Sequence, residues 1–189
     1  MNALRWRSLA CLALILGAPV ALANRYSDTI ALFRHAGQTA EFFKTCYGYA
    51  VFPTVGKGGF FIGAAHGDGR VYEQGRYIGK TSMTQVSIGF QLGGQAYSEM
   101  VFFQTPAALQ RFRSGKFSLS ADVNAVALTA SASASAGTAG TEAGASGNAS
   151  HATAVGHYQN GVAVFTIAKG GLMYQAAVAG QKFSFTPAR

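Results

Sequence analysis

The stretch from Tyr47 to Gly69, YGYAVFPTVGKGGFFIGAAHGDG, constrains the fold more than any other part of the chain. Its two apolar runs, Tyr49 to Phe52 and Phe60 to Ala65, are too short for helices. They are bounded by Pro53 and by Gly56, Gly58, Gly59, Gly63, Gly67 and Gly69, so each reads as a strand. Lys57 is the lone charge between them. Glycines on both sides of it remove side chains that would hold a ligand off the backbone, and His66-Gly67-Asp68-Gly69 offers residues tolerant of positive φ for a reversal. The expectation is a cationic notch in an apolar sheet.

At the N-terminus, Arg5 and Arg7 precede an apolar run from Leu9 to Leu16, and Ala21-Leu22-Ala23 supplies the small residues of a cleavage site. This predicts a secretory signal over residues 1–23, since the apolar run falls short of the roughly 20 residues of a bilayer span. Cys11 has no lipobox before it, which argues against a lipid-modified N-terminus. The rest, 24–189, is one domain by length, destined for the periplasm or cell envelope, or for secretion. Cys46 is then the only cysteine, unable to form an internal disulfide and best read as a small buried hydrophobe.

The chain carries 15 basic and 7 acidic residues, with Arg5 and Arg7 in the predicted leader. Only 12% of its residues are charged and 49% are hydrophobic, against about 25% charged in a typical domain. A cationic exported protein suits an anionic surface, and an exterior short of charge suits membrane contact or self-association. No nucleic-acid motif accompanies the basic balance, so nucleic acid is not an expected partner.

From Ser27 to Tyr47 the pattern is helical, with Ser27 or Asp28 as N-cap and Phe33, Ala36, Ala40, Phe43 and Tyr47 along one stripe. The stripe either packs on the sheet or enters a lipid interface; adjacent Phe42 and Phe43 cannot both centre on one narrow face, which makes Phe33, Phe42 and Phe43 candidate membrane contacts. Gln74-Gly75-Arg76 reads as a turn between strands. Val86, Ile88, Phe90 and Leu92 alternate with polar residues and predict a half-buried strand, Gly93-Gly94 a bend, and Met100 to Phe103 a core strand. Thr105 and Pro106 fit the N-cap and first position of a short helix through Leu109 and Phe112, with Arg111, Arg113 and Lys116 at its end. Residues 117–136 read as extended, about 130–154 as a low-complexity mobile insertion containing the sequon Asn148-Ala149-Ser150, and Gly161 to Ile167, Leu172 to Val178 and Phe183 to Phe185 as closing strands. The fold class is sheet-rich α+β, mainly antiparallel, with an N-terminal amphipathic helix and a short second helix.

Gly79-Lys80-Thr81 is not a phosphate-binding loop, because Gln74 stands where its first glycine belongs and a strand follows instead of a helix. His35, His66, His151 and His157 have no helical zinc spacing and only Cys46 to assist. His66 and Asp68 share the expected turn and are read as stabilising it. Ser98 lacks a nucleophile motif, and the seven carboxylates show no acid/base pattern. No enzyme activity, metal or cofactor is expected.

Ala50-Val51-Phe52-Pro53, Lys57-Gly58-Gly59-Phe60, Gly63 and Gly67-Asp68-Gly69 resemble the opening of the SYLF family of lipid-binding domains. Ser87 to Ser98 resembles its central glycine-rich strand, Thr105 to Leu109 with Phe112 its short helix, and Ala168-Lys169-Gly170-Gly171-Leu172 with Gly180 its closing block. The resemblance implies binding of anionic phospholipid, with phosphoinositides as the headgroups family members recognise, and an N-terminal segment engaged with membrane. Some fungal members bind actin, for which these residues give no basis. The resemblance and the glycine settings together single out Lys57 and then Lys169 as headgroup ligands. Lys80 and Arg76 lie beside further glycines, and Arg111 and Arg113 end the short helix. The alternative is a self-associating scaffold of the cell envelope built on the Ser-Ala-Gly region.

Overall fold

Glycine, β-branched and aromatic residues dominate the chain between 48 and 103, and in the computed structural model that stretch forms four long antiparallel strands. The structure describes residues 18–59, 62–88, 95–115, 117–119, 125–128, 156–169 and 180–189. The strands are β1 (Gly48–Gly59), β2 (Ile62–Glu73), β3 (Arg76–Ile88), β4 (Gln95–Phe103), β5 (Ala125–Leu128), β6 (Val162–Lys169) and β7 (Lys182–Pro187). They lie in one seven-stranded sheet in the order β5-β6-β4-β1-β2-β3-β7, antiparallel throughout except for the parallel pair β5 and β6. The helices are α1 (Ala18–Arg34), α2 (Thr39–Thr45) and α3 (Pro106–Arg113). Among the described residues, no helix is long and apolar enough to cross a membrane.

The sheet is rolled. Phe117 and Leu119 bond to β7 through Phe183 N to Phe117 O and Leu119 N to Gln181 O, while residues 125–128 pair with β6 at the other edge. Six residue steps separate Leu119 from Ala125, and an extended chain covers about 20 Å in that distance, so the two edges must come close. One core unites them: Phe183 of β7 and Met83 of β3 share it with Val162 and Val164 of β6. Helix α3 closes one end of this interior with Ala108, Leu109 and Phe112, all buried. On the outside, α1 and α2 cover β1, β4 and β6 through Phe33, Ala36, Phe42 and Phe43 against Tyr49, Met100, Phe102 and Phe165. Because β4 is covered on both faces, Met100 to Phe103 is apolar throughout.

Several expectations change. The helix expected over Ser27 to Tyr47 is two helices, broken where Gly37 takes a φ of +45° and the Thr39 hydroxyl donates to the carbonyls of Phe33 and Ala36. Gly67-Asp68-Gly69 is not a turn, since β2 runs straight through it. Those glycines face the interior, where a Cβ at Gly67 would lie 2.8 Å from Val55 and one at Gly69 2.7 Å from Phe52; they make room for the core, not for a reversal. His66 and Asp68 therefore sit side by side on an exposed strand face, 3.8 Å apart. β1 is continuous past Pro53, with an irregularity between Val51 and Val55 where the Pro53 carbonyl accepts from Ser98 at 2.8 Å. In β3 the phase is opposite to expectation: Gln85 is buried and Val86 is 69% exposed. The turn at Gln74 and Gly75, both at positive φ, and the short helix capped by Thr105 are as read. The Gly93-Gly94 bend, the strand at 172–178, Lys116 and the low-complexity segment with its sequon lie outside the described residues.

Candidate functional site

Strand register decides which of the expected cations can act together. Lys169 of β6 pairs with Ala96 of β4, which pairs with Gly56 of β1, which pairs with His66 of β2, so these four stand in one row on the outer face. Lys57 is the next residue along β1 and, by the pleat, points the other way, onto the face of Val55 and Ala65. It is half-buried there, and loss of water lowers its pKa. Lys57 and Lys169 thus occupy opposite faces of the sheet, and the single cationic notch expected at Lys57 does not form.

The other expected headgroup ligands also divide. Arg76 sits beyond the β2–β3 hairpin turn, opposite Glu73. Arg111 donates from Nη2 to the Asn160 carbonyl at 2.7 Å, and Arg113 lies 4.0 Å from Glu73 Oε2 with its guanidinium 5.5 Å from the Phe185 ring, all at the end closed by α3. Lys80 of β3 does lie outside, paired in register with Arg70 of β2.

Around Lys169 and Lys80 the outer face assembles a basic patch that includes two residues the sequence reading passed over. Lys169 Nζ donates to Thr54 Oγ1 at 3.0 Å. Its pKa is lowered, first by partial burial and then by the charge of Arg25 on α1, which places two like charges together. The next α1 residue, Tyr26, stacks under Arg70, whose guanidinium carbon is 4.2 Å from the Tyr26 ring centroid and 5.4 Å from that of Tyr77. The patch therefore runs Lys169, Arg25, Tyr26, Arg70, Lys80, with Asp68 as the acidic residue among them. Its floor is low, because Gly56 and Gly58 both open onto space that even a Cβ would not fill. What hid Arg25 and Arg70 is that α1 docking brings them together; the available signal was Arg70 sharing the outward phase of His66 and Asp68 along β2.

The expected membrane contacts are corrected. Phe33 has no exposed surface and belongs to the core between α1 and the sheet. Phe42 packs its ring 4.8 Å from Phe165 and 5.0 Å from Tyr158, and Phe43 stands edge-on to Phe102 at 4.9 Å. Neighbouring rings share one side because both reach the broad aromatic surface of β4 and β6, so the apolar stripe is spent on the sheet. Cys46 is half-buried and burial pushes its thiol up to about 11, which makes it a poor nucleophile at neutral pH. Among the described residues no group of histidine, cysteine or carboxylate side chains could hold a metal ion.

Residues 84–186 match the Ysc84 family, described as Las17-binding protein actin regulator. The chain belongs to this family, the SYLF family. No curated protein matched the chain in sequence. The SYLF domain is associated with lipid- or actin-related binding, and the matched span takes in the end of β3 from Thr84, all of β4 to β6, α3 and nearly all of β7. Of the basic patch it holds Lys169; Arg25, Arg70 and Lys80 precede it.

Proposed function

We propose that the protein attaches without catalysis to anionic phospholipid membranes through the outer basic patch, outside the cytoplasm. The observation that carries this is the continuity of Lys169, Arg25, Arg70 and Lys80 on one face, over a floor of glycine and small side chains. Four cations gathered around Asp68 leave an excess of positive charge that an anion would neutralise, and a phosphate oxygen can approach where Gly56 and Gly58 leave the backbone uncovered. Tyr26 and Tyr77 hold the Arg70 guanidinium by cation–π contact, an interaction that does not consume its N–H groups. Each cation near an anionic surface contributes on the order of 1 kcal/mol, so four give attachment that weakens with salt. Phosphoinositide-like headgroups are the finer form of this proposal, resting on the family's association with lipid.

The test is flotation with liposomes of increasing anionic content at low and high salt. The protein should float with anionic and not neutral vesicles, and lose attachment as salt rises. A Lys169→Glu/Arg70→Glu variant should lose it at low salt, whereas Arg76→Glu should not. Equal flotation on neutral vesicles, or an undiminished double variant, overturns the proposal.

A further inference from the structure

Away from the basic patch, a cavity lies at the seam where the edges of the rolled sheet approach. It has a volume of about 450 Å³ and is lined by Arg111, Phe117, Ser118, Leu119, Gln159, Asn160 and Val162. That size lies within the range of small-molecule sites. Its lining is ordered by chemistry. Leu119 and Val162, each 2% exposed, make an apolar floor, and Phe117 adds a wall. Arg111, Ser118, Gln159 and Asn160 form a polar rim.

The rim carries both donors and acceptors, and Arg111 gives it its charge. Arg111 uses Nη2 on the Asn160 carbonyl, which fixes the guanidinium over the opening, and its remaining N–H groups have no partner among the described residues. Asn160 itself takes φ +52°, and Gly161 beside it φ +78°, the turn that aims this carbonyl at Arg111. Phe117 O and Leu119 N bond to β7, so the N–H and C=O of Ser118 between them turn away from β7, on the cavity side.

We propose that this seam cavity binds a small amphiphile bearing one anionic head, a carboxylate or a phosphate monoester, with the head on Arg111 and the apolar part against Leu119, Val162 and Phe117. The site is separate from the basic patch and does not depend on membrane attachment. Arg111 supplies the charge, the floor supplies desolvation, and the cavity admits a single short chain and not a bilayer.

The experiment uses the full chain with 8-anilinonaphthalene-1-sulfonate, a fluorescent probe of matching chemistry, and competes it with decanoate, decyl phosphate, decanol and decyltrimethylammonium. One or both anions should displace the probe, and decanol and the cation should not. Arg111→Gln should weaken probe binding about tenfold, and Ser118→Trp, which fills the opening from an exposed position, should abolish it with the thermal melt unchanged. Lys169→Glu should leave probe binding as it is, and Arg111→Gln should leave liposome flotation as it is, so either reading can fail alone. Displacement by decanol equal to that by decanoate, or probe binding that survives both variants, overturns the inference.

Discussion

A carboxyl group taken wholly out of water keeps its proton unless something replaces the lost hydration. Glu99, on the interior face of β4, has no exposed surface. Gln181 Nε2 donates to its Oε2 at 2.8 Å, while its Oε1, Thr166 Oγ1 and Gln181 Oε1 have no partner among the described residues. Burial pushes its pKa up to about 7 from an ordinary 4.5, and the Gln181 bond only partly offsets this. Below about 4.5 both folded and unfolded chains hold the proton. Between 4.5 and 7 only the folded chain does, so stability falls as pH rises through that window, by about 3 kcal/mol, and is flat above it. Chemical denaturation at pH 5 and pH 8 should show this loss in the parent and not in Glu99→Gln; equal slopes would refute the assignment. Two further substitutions test packing. Phe33→Ala should cost about 3–5 kcal/mol in the same measurement, as a core ring and not a lipid contact would. Gly69→Ala, whose Cβ would meet the Phe52 ring at 2.7 Å, should cost about 1–3 kcal/mol. A sequence shows that Gly69 lacks a side chain but not which neighbour needs the space, and for that reason a turn and a packed strand read alike there.

Elements whose cause is local were legible. The Thr105 hydroxyl accepts from Ala108 N at 3.2 Å with Pro106 following, so α3 could be read from four residues. Thr105→Ala should lower stability by about 1 kcal/mol, measured by thermal or urea unfolding. The hairpin at Gln74 and Gly75 was equally plain. The N-terminal helix was not, because Phe33, Ala36, Ala40 and Phe43 keep helical spacing across a break made by Gly37 and Thr39. The pleat phase of β3 was misread for a different reason. Gln85 enters the interior on the same strand face as Thr81 and Met83, so hydrophobicity there does not mark the inside. The same limit applied to the candidate site. Lys169 and Lys80 could be picked out by their glycine neighbours, but whether a lysine on β1 shares their face depends on register, and register put Lys57 on the inside.

At the scale of the whole molecule, the chain's last strand completes the sheet. β7 pairs with β3 from Gly79 to Thr84, Phe183 fills the common core, and Ala188 N reaches Ile78 O. A chain ending after Gly180 should therefore fail to give a cooperative melt or a native spectrum, although it loses only the final nine residues. In a cell this makes completion a matter of timing. While residues 182–187 are still within the ribosome, β3 presents an open edge and the interior an unfilled place, so the nascent polypeptide cannot lock into its final shape before that strand emerges. A chain held loose in that way gains its rigidity in a single late step, when β7 closes onto β3.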